Sequence, residues 1–139
     1  MSNRTRNLLA VFAGIIGGMF ANSGILELAI IILPPPAGVD QSSIEKMAAT
    51  MYLLSFKDFI GPFLAHAMGT LVGSVIAIRI SRGNPLRVAL QVAFLFFIGG
   101  ALMVYQLPAP MWFNIADLTL AYFPMALLAH AMFAKSRRI

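Results

Sequence analysis

The stretch LLAVFAGIIGGMFANSGILELAIIIL, residues 8–33, decides the fold of this chain. It contains one charged side chain, Glu27, and is longer than the ~20 apolar residues that cross a bilayer core. The apolar segment of a secretory signal has only about 7–15 residues, so this run is better interpreted as a retained first membrane helix. Pro34-Pro35-Pro36 ends the helix, because proline cannot continue it.

The rest of the chain belongs to the same class. Of its 139 residues, 60% are hydrophobic and 11% are charged, whereas a soluble domain carries about 25% charged residues. Three further apolar runs predict helices over about 58–80, 85–106 and 111–134. Pro124 predicts a bend in the last of them, because it removes one backbone hydrogen bond. The fold class predicted for residues 1–139 is an all-α, four-transmembrane-helix bundle forming a single integral membrane domain.

A more polar segment lies between helices one and two. Apolar residues recur at helical spacing from Ile44 to Leu54, with charged residues off that stripe. Ser42-Ser43-Ile44-Glu45 matches the Ser-x-x-Glu capping box of a helix start. The pattern predicts an amphipathic outer interfacial helix over about 43–56. Within the membrane, Gly14-x-x-x-Gly18 and Gly69-x-x-x-Gly73 predict close contacts between helices.

Basic residues are concentrated at one side of the predicted bundle. Those on that side are Arg4, Arg6, Arg79, Arg82, Arg87, Lys135, Arg137 and Arg138. Only Lys46 and Lys57 fall on the other side, so the positive-inside rule predicts that both termini are cytoplasmic. This topology explains the net charge of +5 without a nucleic-acid partner. The expected partners are the lipid bilayer and further copies of the chain in a homo-oligomer.

Three ionisable side chains lie inside the apolar runs at comparable depth. Glu27 is six residues before the end of the first run, which at 1.5 Å per residue is ~9 Å below the outer boundary. His66 and Asp117 lie at a similar depth in helices two and four. Ionisable groups within a membrane usually face a bundle interior or a cavity, so we expect these three to converge in the outer half.

Each of the three has a polar neighbour on the same helix face. Ser23 precedes Glu27 by four residues, Thr70 follows His66 by four, and Asn114 precedes Asp117 by three. Together these side chains form the predicted binding site, which consists of Glu27, His66, Asp117, Ser23, Thr70 and Asn114. If a metal binds there, its expected ligands are Glu27, His66 and Asp117.

These residues leave three functions open. The first is a small protein that binds or transports a proton, a cation or a small solute. The second is a structural or accessory membrane protein, in which the polar groups only hold helices together. The third is a membrane-embedded enzyme at the outer leaflet that uses a metal or acid/base groups. The sequence assigns no catalytic residue and no cofactor, and the absence of cysteine excludes thiolate chemistry and disulfides.

Three motifs carry a resemblance to a known group of proteins. They are Pro34-Pro35-Pro36-Ala37-Gly38, Ala65-His66-Ala67-Met68-Gly69-Thr70-x-x-Gly73, and Pro108-Ala109-Pro110-Met111-Trp112-Phe113 followed by Asp117-Leu118. Over nearly its whole length the chain resembles small four-helix bacterial inner-membrane proteins of uncharacterised function. The resemblance implies a four-helix fold and a bacterial inner membrane, and it brings no activity with it.

Overall fold

The structure, a computed structural model, describes residues 2–136 and the side chains of residues 2–133. It is 82% helical and has no strand within that part of the chain. Four helical segments are long and apolar enough to cross a membrane: Asn3–Ile32, Phe56–Ile80, Pro85–Gln106 and Met111–Phe133. The predicted all-α, four-helix bundle is thereby confirmed.

Six α-helices make up these spans and their connections. They are α1 (Asn3–Ile32), α2 (Ile44–Thr50), α3 (Ile60–Ile80), α4 (Pro85–Gln106), α5 (Met111–Leu120) and α6 (Phe123–Ser136). α3 is central and packs against α1, α4 and α6. α1 begins before the expected position because the Ser2 side chain accepts a hydrogen bond from the Thr5 backbone N–H at 3.2 Å, which caps the helix.

The segment expected to form one interfacial helix over 43–56 consists of shorter pieces. α2 continues as a 3-10 turn, Met51–Leu53, and a second 3-10 turn, Phe56–Phe59, leads into α3. Ser55 causes the division, because its backbone N–H and its hydroxyl both donate to Asp58 Oδ2 at 2.7 Å and cap the second turn. Ser43, rather than Ser42, caps α2 by accepting a hydrogen bond from the Lys46 N–H at 3.2 Å.

The fourth span, expected as one helix over 111–134, is broken between α5 and α6. The break lies at Ala121-Tyr122, just ahead of Pro124. Proline has no N–H, and its ring collides with the carbonyl of the residue four positions earlier, here Leu120. The bend predicted from Pro124 is therefore present as a complete interruption of the helix.

One end of the bundle carries the start of α1 and the ends of α3 and α6. Arg6 Nε donates to the Ile80 carbonyl at 2.6 Å, which satisfies one of the free carbonyls at the end of α3. The guanidinium of Arg79 lies 4.9 Å from the ring centroid of Phe133 in α6. We call the part of the bundle nearest this end the terminal half, and the opposite part the α2-side half.

In the terminal half, α3 packs closely against α1, α4 and α6, while a groove of about 400 Å³ lies between α1 and α4. A Cβ placed on Gly14 of α1 would lie 2.5 Å from the Gly73 carbonyl oxygen of α3, and one on Gly18 would lie 2.6 Å from the Gly69 carbonyl oxygen. Only glycine permits backbones this close, so the predicted small-residue contacts are confirmed. Small and branched side chains fill the space between α3, α4 and α6: Ala77, Ile78, Val88, Ala89, Val92, Ala93, Ala126 and Ala129.

Candidate functional site

The polar centre of the α2-side half consists of His66, Asp117 and Tyr122. His66 Nδ1 lies 2.8 Å from Asp117 Oδ1 and 3.0 Å from Oδ2. The Tyr122 hydroxyl donates to Asp117 Oδ2 at 2.9 Å, and its ring is stacked on the imidazole with centroids 6.0 Å apart. The three side chains thus form one network that connects α3 to the broken fourth span.

The break before Pro124 brings Tyr122 into this network. On an uninterrupted helix, residues five apart point about 140° away from each other, so Tyr122 would face away from Asp117. The interruption at Ala121-Tyr122 turns the ring back toward the carboxylate. Gly100 of α4 leaves room for it, because a Cβ there would collide with the Tyr122 hydroxyl. Sequence reasoning missed Tyr122, and the available signal was its position two residues before an intrahelical proline.

The hydrogen bonds define the state of the imidazole. An ionised carboxylate only accepts hydrogen bonds, so beside an ionised Asp117 the imidazole carries its hydrogen on Nδ1. The neutral ring then presents Nε2 as an acceptor. Asp117 is enclosed, with 3% of its side chain exposed, whereas 23% of the His66 side chain remains accessible. Asp117 therefore orients His66, and the other ring nitrogen of His66 is available for a proton or a hydrogen-bond donor.

A cavity of about 240 Å³ lies beside this network, between α2 and the ends of the spans. Five polar residues line it: Gln41, Asp58, His66, Asn114 and Asp117. Its remaining wall is apolar, formed chiefly by Leu26, Met47, Met51, Leu54, Phe59, Met103, Val104, Leu107 and Phe113. We call this space the α2-side cavity. α2 and the turn that follows it form its cover.

Two of the lining residues carry a buried oxygen that has no hydrogen-bond partner. They are Asp58 Oδ1 and Asn114 Oδ1. Asn114 Nδ2 donates to the Ala109 carbonyl at 3.3 Å, which identifies the unpartnered atom of that amide as its oxygen. Leaving such an atom unpaired costs about 1–3 kcal/mol. Both atoms are acceptors, and both lie on residues that surround the same space.

A second cavity, of about 460 Å³, meets the first at His66. It lies between α1 and α4 and is lined by Asn22, His66, Phe96, Gly100 and Tyr122, among others. Asn22 also has a buried oxygen without a partner. Asn22 was not among the predicted site residues, although it lies about 40° around α1 from Gly18, which contacts α3. His66 therefore stands between two spaces of different lining.

Glu27 does not join the network, and the expectation that all three ionisable groups converge is wrong for this residue. Glu27 and its neighbour Ser23 are exposed on α1. The physical reason is helical rotation: Glu27 follows Gly18 by nine residues, which places it about 180° away from the face that contacts α3. Glu27 lies at a similar depth to the network but on the opposite side of its helix.

The other predicted residues divide between the cavity and the helix backbone. Asn114 lines the α2-side cavity, as His66 and Asp117 do. Thr70 is fully buried, but its hydroxyl donates to the His66 carbonyl at 2.9 Å and so remains within α3. Within the described part of the chain, no group of three or more His, Cys, Asp or Glu residues could hold a metal ion. The expected metal ligands Glu27, His66 and Asp117 are therefore not assembled.

No protein-family model, curated protein or solved structure matches the chain.

Proposed function

We propose that this chain is a small integral membrane protein that binds a small solute in the α2-side cavity, with the His66–Asp117 pair as its proton-responsive centre. The observation that carries the proposal is the position of His66. Its Nδ1 is held by Asp117, and its side chain lines a cavity that also contains Asp58 and Asn114. Ionisable groups in membrane spans typically mark binding sites or proton pathways.

A purely structural role explains less of this geometry. Hydrogen bonds between membrane helices contribute about 0.6 kcal/mol on average, and the His66–Asp117 contact alone would supply such a connection. A connection of that kind requires no cavity beside it. It also requires no unpartnered oxygens, such as those of Asp58 and Asn114. These atoms favour an occupant that donates hydrogen bonds to them.

Binding is better supported than transport. The α2-side cavity lies at one end of the bundle, between α3, α4 and α5, and the buried side chains packed between α3, α4 and α6 close its path to the other end. Passage across the whole bundle would require these helices to separate. We therefore propose binding as the primary function. Transport would require such a rearrangement in addition.

NMR of selectively labelled histidine and asparagine in lipid nanodiscs tests the proposal. The chain has only two histidines, so His130 serves as an internal reference. We expect neutral His66 to be the Nδ1–H tautomer, and we expect acidification to protonate it and to shift the Asn114 amide signal at the same midpoint. Asp117→Asn should mix the tautomers, whereas Glu27→Gln, which alters the exposed carboxylate, should leave them unchanged. Acidification that leaves Asn114 unaffected would favour a structural role.

We further propose a bacterial inner membrane with both termini in the cytoplasm. The supporting observation is the position of Arg4, Arg6, Arg79, Arg82 and Arg87 at the terminal end. Arg137 and Arg138 and the side chain of Lys135 lie outside the described part of the chain. The chain has no cysteine, so Ser2→Cys and Ser42→Cys can be compared in intact cells with an impermeant thiol reagent. Labelling of Ser42→Cys alone is expected, and labelling of Ser2→Cys alone would reverse the topology.

We also propose that the chain forms a homo-oligomer through the exposed face of α1. Glu27 and Ser23 lie on that face, and an unpaired charge costs about 2.5–3.5 kcal/mol on insertion scales at the centre of a membrane helix and less toward its ends. A second copy can bring polar side chains to this carboxyl group. Gly24→Cys, on the same face, should form a disulfide-linked dimer under oxidation, and Leu102→Cys, exposed on α4, should not. Equal cross-linking of the two would argue against this interface.

A further inference from the structure

We infer that the α2-side cavity takes a small organic cation, an ammonium group that carries apolar substituents. The inference rests on the proposed binding function and specifies the ligand class of the same site. It follows from the polar atoms around the cavity, from the sign of its charges and from its apolar wall.

Most of the polar atoms around the cavity are acceptors, although the exposed Gln41 also offers an amide donor. Asp58 Oδ1 and Asn114 Oδ1 are almost fully buried and have no partner, so a small shift of the lining would bring them to an occupant, and the Nδ2 group of Asn114 is used by the Ala109 carbonyl. His66 presents Nε2 as a further acceptor while Asp117 holds its Nδ1–H. An occupant that satisfies these atoms must donate hydrogen bonds. An ammonium group has only donors, and a charged donor makes stronger bonds than a neutral one.

The charged residues that line the cavity itself have one sign, while Lys57 lines an adjoining pocket that shares Asp58 with it. Two of the residues lining the cavity are carboxylates, Asp58 and Asp117, and none of the described residues lining it is lysine or arginine. Lys46, on the covering helix, is 3.3 Å from Asp40 and is already paired there. Because a carboxylate with a low-dielectric wall attracts counter-charge, the cavity favours a cation over an anion.

The wall of the cavity favours an organic cation over a metal ion. It contains three methionines and two phenylalanines: Met47, Met51, Met103, Phe59 and Phe113. Thioethers adapt to apolar groups, and aromatic faces attract cations. Divalent Ca²⁺ requires about 6–8 oxygen ligands, which this lining does not provide. The volume of about 240 Å³ equals roughly eight waters of ~30 Å³ each, enough for an amine the size of benzylammonium.

Protonation of His66 should oppose binding of the cation. A protonated imidazole is positive, and it turns the Nε2 acceptor into a donor. The titratable groups that face His66 are Asp117 of α5, Tyr122 beyond it, and Asp58 ahead of α3, while α1 and α4 contribute the neutral Asn22, Gly100 and Met103. A proton on His66 therefore opposes an organic cation in the cavity, by repulsion and by removing the Nε2 acceptor.

An NMR titration in nanodiscs at neutral pH tests the inference with two probes of similar shape, benzylammonium and its neutral analogue benzyl alcohol. Benzylammonium should shift the His66 and Asn114 signals saturably, and its affinity should fall on acidification, because a positive imidazole repels a cation. Asp58→Asn should weaken binding roughly tenfold, as expected for loss of one charge-assisted hydrogen bond. Glu45→Gln, an exposed acid outside the cavity, is the matched control.

Because Asp58 also caps the turn before α3, Asp58→Asn could weaken binding by disturbing the fold, so a second variant is needed. Asn114→Asp adds a carboxylate to the cavity and should tighten binding of benzylammonium without tightening that of benzyl alcohol. Equal affinity for the two probes, an unchanged affinity in Asp58→Asn, or no binding of either probe would overturn the inference. The proposed binding function would still stand in those cases if acidification shifts His66 and Asn114 together, and it would fall with the inference if acidification does not.

Discussion

In the terminal half, α1 and α3 touch backbone to backbone at Gly14 and Gly73, and they stay in contact at Ala29 and Gly61 in the α2-side half. There, however, α3, α4 and α5 surround a cavity of about 240 Å³ beneath α2. The first region is filled by alanine, valine and glycine. The second holds the buried carboxylate of Asp117, an oriented imidazole and unpartnered oxygens.

The difference shows that, in one short bundle, tight helix packing and a polar binding site can lie at different depths along the membrane normal. Without a hydrophobic driving force between helices in lipid, stability comes from close van der Waals contact, which small residues permit. The terminal half has such contacts and can hold the helices together. The α2-side half is then able to keep polar groups incompletely satisfied, as a binding site requires.

The largest effect on stability is expected from a methyl group added to the terminal half. Gly14→Ala would place a Cβ 2.5 Å from the Gly73 oxygen, so α1 must move away from α3. Overpacking of this kind typically costs about 1–3 kcal/mol. On the same helix, Gly24→Ala meets nothing within 4 Å and should be neutral or slightly stabilising. Unfolding in mixed micelles measures both, and equal stabilities would contradict the assignment of the terminal half as the rigid region.

A smaller loss of stability, with a specific change at the site, is expected from Gly100→Ala. Its new methyl group collides with the Tyr122 hydroxyl and should break the hydrogen bond from Tyr122 to Asp117. We expect a cost of about 1 kcal/mol, because the ring can move toward the neighbouring cavity. The His66 signal should change as well. Gly99→Ala meets nothing within 4 Å and is the control; if it perturbs His66 as much, Gly100 has no special role in seating Tyr122.

The smallest effect on stability is expected from replacing Asp40, an acid in the loop before α2. The Ser42 hydroxyl and N–H donate to Asp40 at 2.6 and 2.9 Å, and these bonds lower the pKa of the Asp40 carboxyl from its usual 3.8. A lowered pKa stabilises the fold above the usual value, and the contribution is lost as the pH falls through the folded value. Asp40→Asn should thus lower Tm slightly at pH about 6, and the difference should shrink as the pH falls below the usual pKa of 3.8. A pH-independent difference, or an equal one in Glu45→Gln, would argue against the Ser42 bonds as its cause.

Much of the fold was accessible from the sequence. Runs of apolar residues predict the four spans, Pro124 predicts the interruption of the last one, and the glycine pairs predict the contact of α1 with α3. The interfacial segment was predicted too long, because the competing cap formed by Ser55 and Asp58 divides it. Amphipathic spacing alone does not reveal where a second cap will restart a helix.

The site was predictable only in part. The comparable depth of His66 and Asp117 predicts that they can meet, and they do. Depth does not specify the direction of a side chain around its helix, which is why Glu27 was wrongly grouped with them. The contributions of Tyr122 and Asp58 depend on a helix break and on a capped turn. Both are features of backbone geometry that residue spacing on ideal helices does not describe.

The most direct test compares the cavity of the α2-side half with the packed interior between α3, α4 and α6 in the terminal half. Because the chain lacks cysteine, two matched replacements can make this comparison: Val104→Cys, which lines the α2-side cavity, and Val92→Cys, which is 0% exposed in the terminal half. In nanodiscs, a small water-soluble thiol reagent should modify Val104→Cys readily and leave Val92→Cys unreacted, and excess benzylammonium should slow the reaction at Val104→Cys. Equal reactivity at the two positions, or no reaction at either, would contradict the account.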